Sequence, residues 1–112
     1  MSKLLQGKGF FVVRSAKSGV DGVSPDLVAL SSSRKFAIEC KAREGELWFD
    51  KPDFLQMLEW EKVTGLPYFV AWRRNRGEWK FIPLALLRET KGGFVITVEE
   101  AQAGLSLDET IK

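Results

Sequence analysis

The sequence predicts an α/β protein of one domain, residues 1–112, in which a mixed central β-sheet is flanked by helices. Three observations carry this prediction: short β-branched and aromatic segments, one helical segment bounded by capping residues, and further strand segments after it. A chain of 112 residues, 45% of them hydrophobic, is long enough for one compact core. The order of strands, helix and strands favours a mixed sheet covered by helices.

Three strands are predicted in the first half of the chain. They are bounded by a Gly- and Ser-rich loop and by a polar turn, and they cover residues 9–14, 26–30 and 35–42. The segment 43–51, which follows the third strand, is expected to be a loop. The second strand is continuously apolar after its first residue, as expected for a strand covered on both faces.

A helix is predicted to begin near Asp50, which can cap free amides with Asp53 as its partner three residues later. Pro52 suits a first turn, and Gly65 with Pro67 ends the helix. Its apolar residues wrap more than one face, so a partner subunit is one candidate for covering them: Phe54, Leu55, Met57, Leu58, Trp60 and Val63.

The last third of the chain is predicted to hold a hairpin with a basic tip. Its strands are residues 67–72 and 78–82, and three arginines lie in the turn: Arg73, Arg74 and Arg76. A helical turn, a short strand and a terminal turn are expected at 83–87, 93–98 and 107–111.

Composition excludes several classes of function. The chain has no histidine, which removes Ser-His-Asp hydrolysis and His-ligated zinc, and one cysteine, Cys40, cannot form an internal disulfide. Without a long apolar run or a secretory signal, a soluble, cytoplasmic protein is expected, inside a host cell if the source is viral. The net charge of +2 is a weak indication of a nucleic-acid partner, but the clustering of basic residues suggests a basic face.

The most informative pattern is Pro25-Asp26, twelve residues, then Glu39-Cys40-Lys41. Glu39 and Lys41 lie on one face of a strand, roughly 7 Å apart, and Cys40 points the other way. An adjacent strand brings Asp26 near Glu39. Facing carboxylates need a cation, and oxygen ligands suit Mg²⁺, to which the carbonyl of Cys40 could add a ligand.

In such a site Lys41 would orient or deprotonate a water, or neutralise charge on a phosphate. The alternative is a solvated Glu39–Lys41 pair with no function. Acids at the ends of buried strands favour the functional interpretation, because burial of a charge needs a reason.

Asp26…Glu39-x-Lys41 resembles the PD-(D/E)xK motif of nucleases with the restriction-endonuclease-like fold. The wider frame resembles the archaeal-type Holliday junction resolvases. The strings that carry the resemblance span about residues 5 to 90: Gly-Phe-Phe-Val-Val-Arg at 9–14, Ser18-Gly19, Pro25-Asp26-Leu27-Val28-Ala29, Ile38-Glu39-Cys40-Lys41-Ala42-Arg43 and Lys80-Phe81-Ile82-Pro83.

The resemblance implies a homodimer that nicks opposing strands of four-way DNA junctions with Mg²⁺, for which Mn²⁺ would substitute. Asp26 and Glu39 would hold the metal, Lys41 would assist the attacking water, and Ser18 would lie beside the site. The residues expected to contact phosphates are Arg14, Lys17, Arg43, Arg73, Arg74 and Arg76, the last three on the evidence of charge. The alternatives are a nuclease for other branched DNA and a weakly active or non-catalytic module that binds branched DNA.

One departure from the family pattern concerns the N-terminal helix, which is shortened here. The resolvases usually carry a further glutamate on a longer helix, and this sequence begins after that place. Either the site works with fewer carboxylates, or Glu44, Glu46 or Asp50 substitutes, or activity is weakened. Of the four tryptophans, Trp48, with the adjacent Phe49, is the best candidate for stacking on bases.

Overall fold

A computed structural model describes residues 1–15 and 25–112 of the chain. In this part, three α-helices and eight strands occur in the order α1 (Ser2–Gln6), β1 (Phe11–Arg14), β2 (Leu27–Leu30), β3 (Lys35–Ala42), β4 (Leu47–Asp50), α2 (Lys51–Thr64), β5 (Tyr68–Arg73), β6 (Lys80–Pro83), β7 (Arg88–Thr90), β8 (Gly93–Ile96) and α3 (Leu107–Ile111). Two 3-10 turns, Leu84–Leu86 and Glu100–Ala103, complete the described structure.

The main sheet has five strands in the order β1-β2-β3-β5-β6. Neighbouring strands are antiparallel except for β3 and β5, which are parallel. A parallel pair needs a long crossover, and here β4 and α2 supply it. The sheet is therefore mixed and flanked by helices, which confirms the predicted fold class.

The crossover helix α2 begins and ends where its capping residues predict. The Asp50 carboxylate accepts a hydrogen bond of 2.9 Å from the Asp53 amide, and Pro52 lies in the first turn. Gly65 ends the helix in the left-handed conformation, with φ of 73°, which glycine adopts without a steric penalty. Local sequence alone was sufficient to place both ends.

Two apolar clusters cover the two faces of the main sheet. One joins α2, the smaller sheet and residues such as Tyr68 and Trp72, and the other contains Phe36, Ile38 and Phe69 under both short terminal helices. Because strands alternate, each of the central strands β3 and β5 contributes to both clusters. This arrangement fixes which side chains of β3 share a face.

The predicted loop 43–51 is wrong over its second half. Leu47–Asp50 forms β4, the edge strand of an antiparallel sheet in the order β4-β8-β7. The partner strand β8 lies more than forty residues away in the chain, so local sequence gave little signal for this pairing. Strand β7, at Arg88–Thr90, was also not predicted.

The C-terminal helix α3 is fastened to the turn between β2 and β3. The Arg34 guanidinium donates hydrogen bonds of 3.0 and 2.8 Å to the carbonyl of Thr110. The Thr110 side chain is fully buried, and its hydroxyl donates to the Ser106 carbonyl over 2.8 Å. Arg34 is thus a structural cation at the far end of β3 from Glu39 and Lys41.

Candidate active site

One edge of the main sheet brings together one end of each of its five strands. Strands β1, β3 and β5 end at this edge, whereas β2 and β6 begin there. Side chains that lie far apart in the chain are brought to this edge, namely Arg14, Asp26, Glu39, Lys41 and Arg73. The topology of a mixed sheet is therefore what assembles the site.

Asp26 lies one residue before β2 and is held to the backbone of β3. Its Oδ2 atom accepts a hydrogen bond of 2.8 Å from the Cys40 amide. In the β2–β3 register Leu27 faces Ile38, so Asp26 comes one step further along, beside Glu39. The β2–β3 register therefore brings Asp26 close to Glu39, as the sequence predicted.

Glu39 and Lys41 occupy the face of β3 that is turned toward β4 and α2. The Lys41 Nζ atom lies 3.8 Å from Glu39 Oε2, and these side chains are 40% and 22% exposed. The same Nζ atom lies 5.5 Å from the centre of the Phe49 ring. Lys41 therefore stands between a carboxylate and an aromatic ring at a partly solvated edge.

Two neighbouring groups report the electrostatic potential of the two carboxylates. Burial, followed by the charges of Glu39 and Asp26, raises the pKa of Tyr68 well above its ordinary value. Burial and then the Asp26 charge raise the pKa of the Cys40 thiol to about 11, with a smaller contribution from Glu39. Since both groups sense both acids, the negative potentials of Asp26 and Glu39 overlap.

A region of overlapping negative potential with carboxylate oxygens suits a hard divalent cation. Within residues 1–15 and 25–112, no group of three or more Cys, Asp or Glu side chains lies close enough to share one. Mg²⁺ often takes only one or two protein carboxylates and completes its shell with water and substrate phosphate. Asp26 and Glu39 are therefore a sufficient protein contribution for such an ion.

The acids considered as substitutes for a further glutamate have other contacts. Glu44 Oε1 lies 3.6 Å from a guanidinium nitrogen of Arg74, and Asp50 caps α2. Glu46 is exposed in the connection before β4. Glu44 is therefore paired with the basic turn, and Asp50 caps the helix.

Among the described residues, some of the arginines predicted to contact DNA form side-chain hydrogen bonds within the protein, and others do not. The Arg73 and Arg74 side chains donate to the carbonyls of Gly77 and Glu44 over 3.1 and 2.9 Å. Arg43, by contrast, is engaged through its backbone, since its carbonyl accepts a 2.9 Å bond from the Trp72 indole. Arg43 and Arg76 are exposed.

Arg14 is exposed at the end of β1 and donates a hydrogen bond of 3.3 Å to the Ser2 hydroxyl. The predictions for Lys17, Ser18 and most of the loop 15–25 lie outside the described residues.

A surface cavity of about 290 Å³ opens beside Asp26 on the face opposite α2. Its lining combines the acid with basic, polar and apolar side chains: Met1, Arg14, Ser15, Asp26, Leu27, Cys40 and Trp79. The Trp79 ring also lies 5.7 Å from the Arg73 guanidinium, whereas Trp72 is buried and Trp48 is 51% exposed. Trp79 is thus the tryptophan that shares this cavity with Asp26.

A mixed sheet with an aspartate and a Glu-x-Lys pair at one edge is the arrangement that defines the class of PD-(D/E)xK nucleases. Comparison with known proteins narrows that class. The family model described as archaeal Holliday junction resolvase (Hjc) matches residues 1–112. The chain belongs to this family.

Similarity to individual proteins agrees with the family match. The chain is 32% identical over 103 residues to the crossover junction endodeoxyribonuclease Hjc of Archaeoglobus fulgidus, covering 90% of this chain and 76% of that protein. It also resembles the solved structure of A. fulgidus Hjc, a Holliday junction resolvase, with a TM-score of 0.86 and 28% identity. That likeness covers 96% of this chain and 86% of the other.

In the described part of this chain, no helix has the length and apolar character needed to cross a membrane.

Proposed function

We propose that this protein resolves four-way DNA junctions as a Mg²⁺-dependent endonuclease, acting as a homodimer that nicks two opposing strands. The observation that carries the proposal is the meeting of Asp26, Glu39 and Lys41 at one sheet edge, in a chain that belongs to the resolvase family. Mn²⁺ is expected to replace Mg²⁺, because both ions accept carboxylate and water ligands.

In this proposal Asp26 and Glu39 hold the metal, with the carbonyl of Cys40 as a further ligand. A divalent metal held there would acidify a bound water and stabilise charge on the scissile phosphate. The Asp26 carboxylate is oriented by the Cys40 amide, over 2.8 Å, so its position is set by the β3 backbone. This hydrogen bond supports the proposal, because it would hold the Asp26 carboxylate in place before DNA binds.

Lys41 supplies positive charge where the phosphate gains negative charge. A water that gives up a proton to solvent adds to phosphorus, the P–O bond to one strand end breaks, and the oxygen that leaves takes up a proton. Because the attacking oxygen has lost its proton, the pentacoordinate arrangement carries one more negative charge than the diester. An ammonium on the same face as Glu39 neutralises part of that charge or orients the water. Ser18 is proposed to contribute a hydroxyl beside this centre.

Basic residues around the edge are proposed to bind the DNA backbone. Arg14 and Arg43 flank the two acids, and the turn with Arg73, Arg74 and Arg76 extends the same edge, with Lys17 as a further contact. Phosphate contacts position a duplex without reading sequence, which suits an enzyme that recognises the branched structure.

The homodimer is proposed to use the apolar residues of α2 that the fold leaves exposed. Phe54 and Met57 are buried, but Leu55, Leu58 and Val63 are 47%, 37% and 73% exposed. Cutting two strands symmetrically requires two active sites related by a two-fold axis, which a two-fold dimer provides.

The test is nicking of a labelled, immobile four-way junction beside a linear duplex of the same sequence, with and without Mg²⁺. Wild type is compared with Lys41→Ala, and with Lys35→Ala as a matched control at the other end of β3. Paired cuts near the branch point that need Mg²⁺ and are lost only in Lys41→Ala are expected.

Other outcomes separate the alternatives. Equal cutting of duplex and junction would indicate a nuclease without junction selectivity. Tight junction binding with no cutting in Mg²⁺ or Mn²⁺ would indicate a binding module. Cutting that persists at the wild-type rate in both Asp26→Asn and Lys41→Ala would refute the proposed site.

A further inference from the structure

Phe49 is the aromatic residue that the fold places against the lysine of the site. The Lys41 Nζ atom lies 5.5 Å from the centre of the Phe49 ring, within the distance at which a cation is attracted to an aromatic face. Phe49 as a whole is only 8% exposed. The partly solvated ammonium therefore lies against a ring that the fold keeps buried.

The position of Phe49 is set by the smaller sheet. In the β4–β8 register Phe49 faces Phe94, and a side chain at the neighbouring Gly93 would collide with the Phe49 carbonyl and with the Trp48 ring. The next residue, Asp50, is fixed as the cap of α2. The Phe49 backbone is therefore held from both sides.

Lys41, in contrast, has a long flexible side chain that needs to be held in place. A lysine side chain loses conformational entropy when it is fixed, so holding it in place has a cost. Its ion pair with Glu39 is partly exposed, and such pairs contribute little by themselves. The proposed metal would also draw on the Glu39 charge, so a neutral contact is needed to hold the ammonium.

We propose that Phe49 is a positioning residue for cleavage, which holds the Lys41 ammonium over the active site through its aromatic face. This inference rests on the proposed role of Lys41. It assigns a function to the smaller sheet, because strand β4 carries a group that acts on the lysine of β3. The Phe49 ring accepts no proton and binds no hard metal ion. It can therefore orient the ammonium without competing with the carboxylates for the metal or for a proton.

The experiment replaces Phe49 with phenylalanines that carry one, three or five ring fluorines. Fluorine withdraws electron density from the ring face and weakens cation binding, while the shape of the side chain changes little. The readout is the single-turnover nicking rate on a four-way junction at saturating protein and Mg²⁺. The rate is expected to fall stepwise, by roughly three- to tenfold at full fluorination, with junction affinity unchanged.

The matched control is the same series at Phe94, which faces Phe49 across β4 and β8 and stacks on Phe54 at 3.9 Å between ring centres. Fluorination there changes the packing of the same sheet but is expected to leave the nicking rate unchanged. Phe49→Tyr, which retains the ring face, is expected to keep the rate, and Phe49→Leu to lower it by about the same factor as full fluorination.

A flat rate across the Phe49 series, or an equal decline in the Phe94 series, would overturn the inference. Lys41→Ala, measured in parallel, separates this failure from that of the proposed function. If Lys41→Ala nicks as fast as wild type, the role proposed for Lys41 is wrong. If Lys41→Ala is inactive while the Phe49 series is flat, only the positioning role is wrong.

Discussion

Cys40 serves the site through its backbone, while its side chain is turned away from it. The Cys40 amide holds Asp26, whereas the thiol packs at the margin of the cluster on the opposite face of the sheet. Substitution of the side chain therefore need not disturb the acids, because the hydrogen bond to Asp26 is retained by any residue other than proline.

The reactivity of this thiol should depend on pH in a way that reports its surroundings. Burial and the Asp26 charge raise its pKa from 9.0 to about 11, and the thiolate is the reactive form. Alkylation by iodoacetamide at pH 8 is expected to be much slower in the folded protein than in urea, and to accelerate as the pH approaches 11. Equal rates in the two states at pH 8 would contradict this.

The raised pKa of the Cys40 thiol also predicts how the free energy of unfolding changes with pH. The folded pKa lies above the unfolded value of 9.0, so the contribution is fully present below pH 9 and is lost as the pH rises toward about 11. The difference in urea-unfolding free energy between wild type and Cys40→Ala, followed from pH 8 to 11, measures this loss. The loss above pH 10 that the raised pKa of Tyr68 causes is common to both proteins.

Arg43 is the basic residue whose removal tests phosphate binding most cleanly. Its bonds with Trp72 and Arg73 are made by backbone atoms, so Arg43→Ala should leave the fold intact. Removing one phosphate-binding cation lowers the dependence of log affinity on log salt by about 1. Junction binding titrated at several salt concentrations should show this smaller slope in Arg43→Ala.

Lys35→Ala provides the matched control, since Lys35 is an exposed cation at the start of β3, at the opposite end from the site. Its salt dependence is expected to equal that of wild type. If the slope of log affinity against log salt were the same in wild type, Arg43→Ala and Lys35→Ala, Arg43 would not contact the DNA backbone.

At the scale of secondary structure, the contact between β4 and β8 is unusually close. A Cβ atom at Gly93 would lie 2.6 Å from the Trp48 ring and would collide with the Phe49 carbonyl. Gly93→Ala is therefore expected to lower the free energy of unfolding by about 1–3 kcal/mol, through displacement of β4. Urea denaturation measures this change.

Gly45→Ala is the control for this substitution. Its Cβ atom would meet only the end of the Arg43 side chain at 4.0 Å, so little change in stability is expected. If Gly93→Ala were as stable as wild type, β4 would not be held against β8 as described.

The elements that sequence predicted well are those specified by local chemistry. The ends of α2 follow from Asp50 and Gly65, and the shared face of Glu39 and Lys41 follows from the two-residue period of a strand. The approach of Asp26 needed only the pairing of two consecutive strands. Each of these features depends on residues within about fifteen positions of one another.

The parts that sequence missed depend on pairing between distant segments. Strand β4 pairs with β8, in which Phe49 faces Phe94, and the hydrogen bond from Arg74 to the Glu44 carbonyl joins residues thirty positions apart. No local pattern around Leu47–Asp50 distinguishes an edge strand from a loop rich in aromatic residues. The contact of Phe49 with Lys41 was therefore not predictable.

At the scale of the whole molecule, the exposed side of α2 should decide the oligomeric state. Leu58→Asp places a charge one turn after Leu55 on the exposed side of α2, and burying it unpaired in an interface would be strongly unfavourable. The variant is expected to be monomeric at micromolar concentration by light scattering, and to release single nicks rather than paired cuts.

Leu4→Asp is the control, because Leu4 is exposed to a similar extent, at 41%, but lies on α1. It should behave as wild type. A wild-type protein that is itself monomeric, or a Leu58→Asp variant that remains dimeric, would show that α2 is not the dimer interface.

The parallel pairing of β3 with β5 also has a kinetic consequence. These strands can join only after the intervening β4 and α2 have closed a long connection, and such closure slows folding compared with local helix or hairpin formation. Glu39 and Lys41 are carried by β3, so the proposed active site is expected to be completed late in folding. In pulsed hydrogen exchange during refolding, the amides of Lys51–Thr64 are expected to become protected before the amides of β3 that bond to β5. A chain that is still folding would then lack a working nuclease centre.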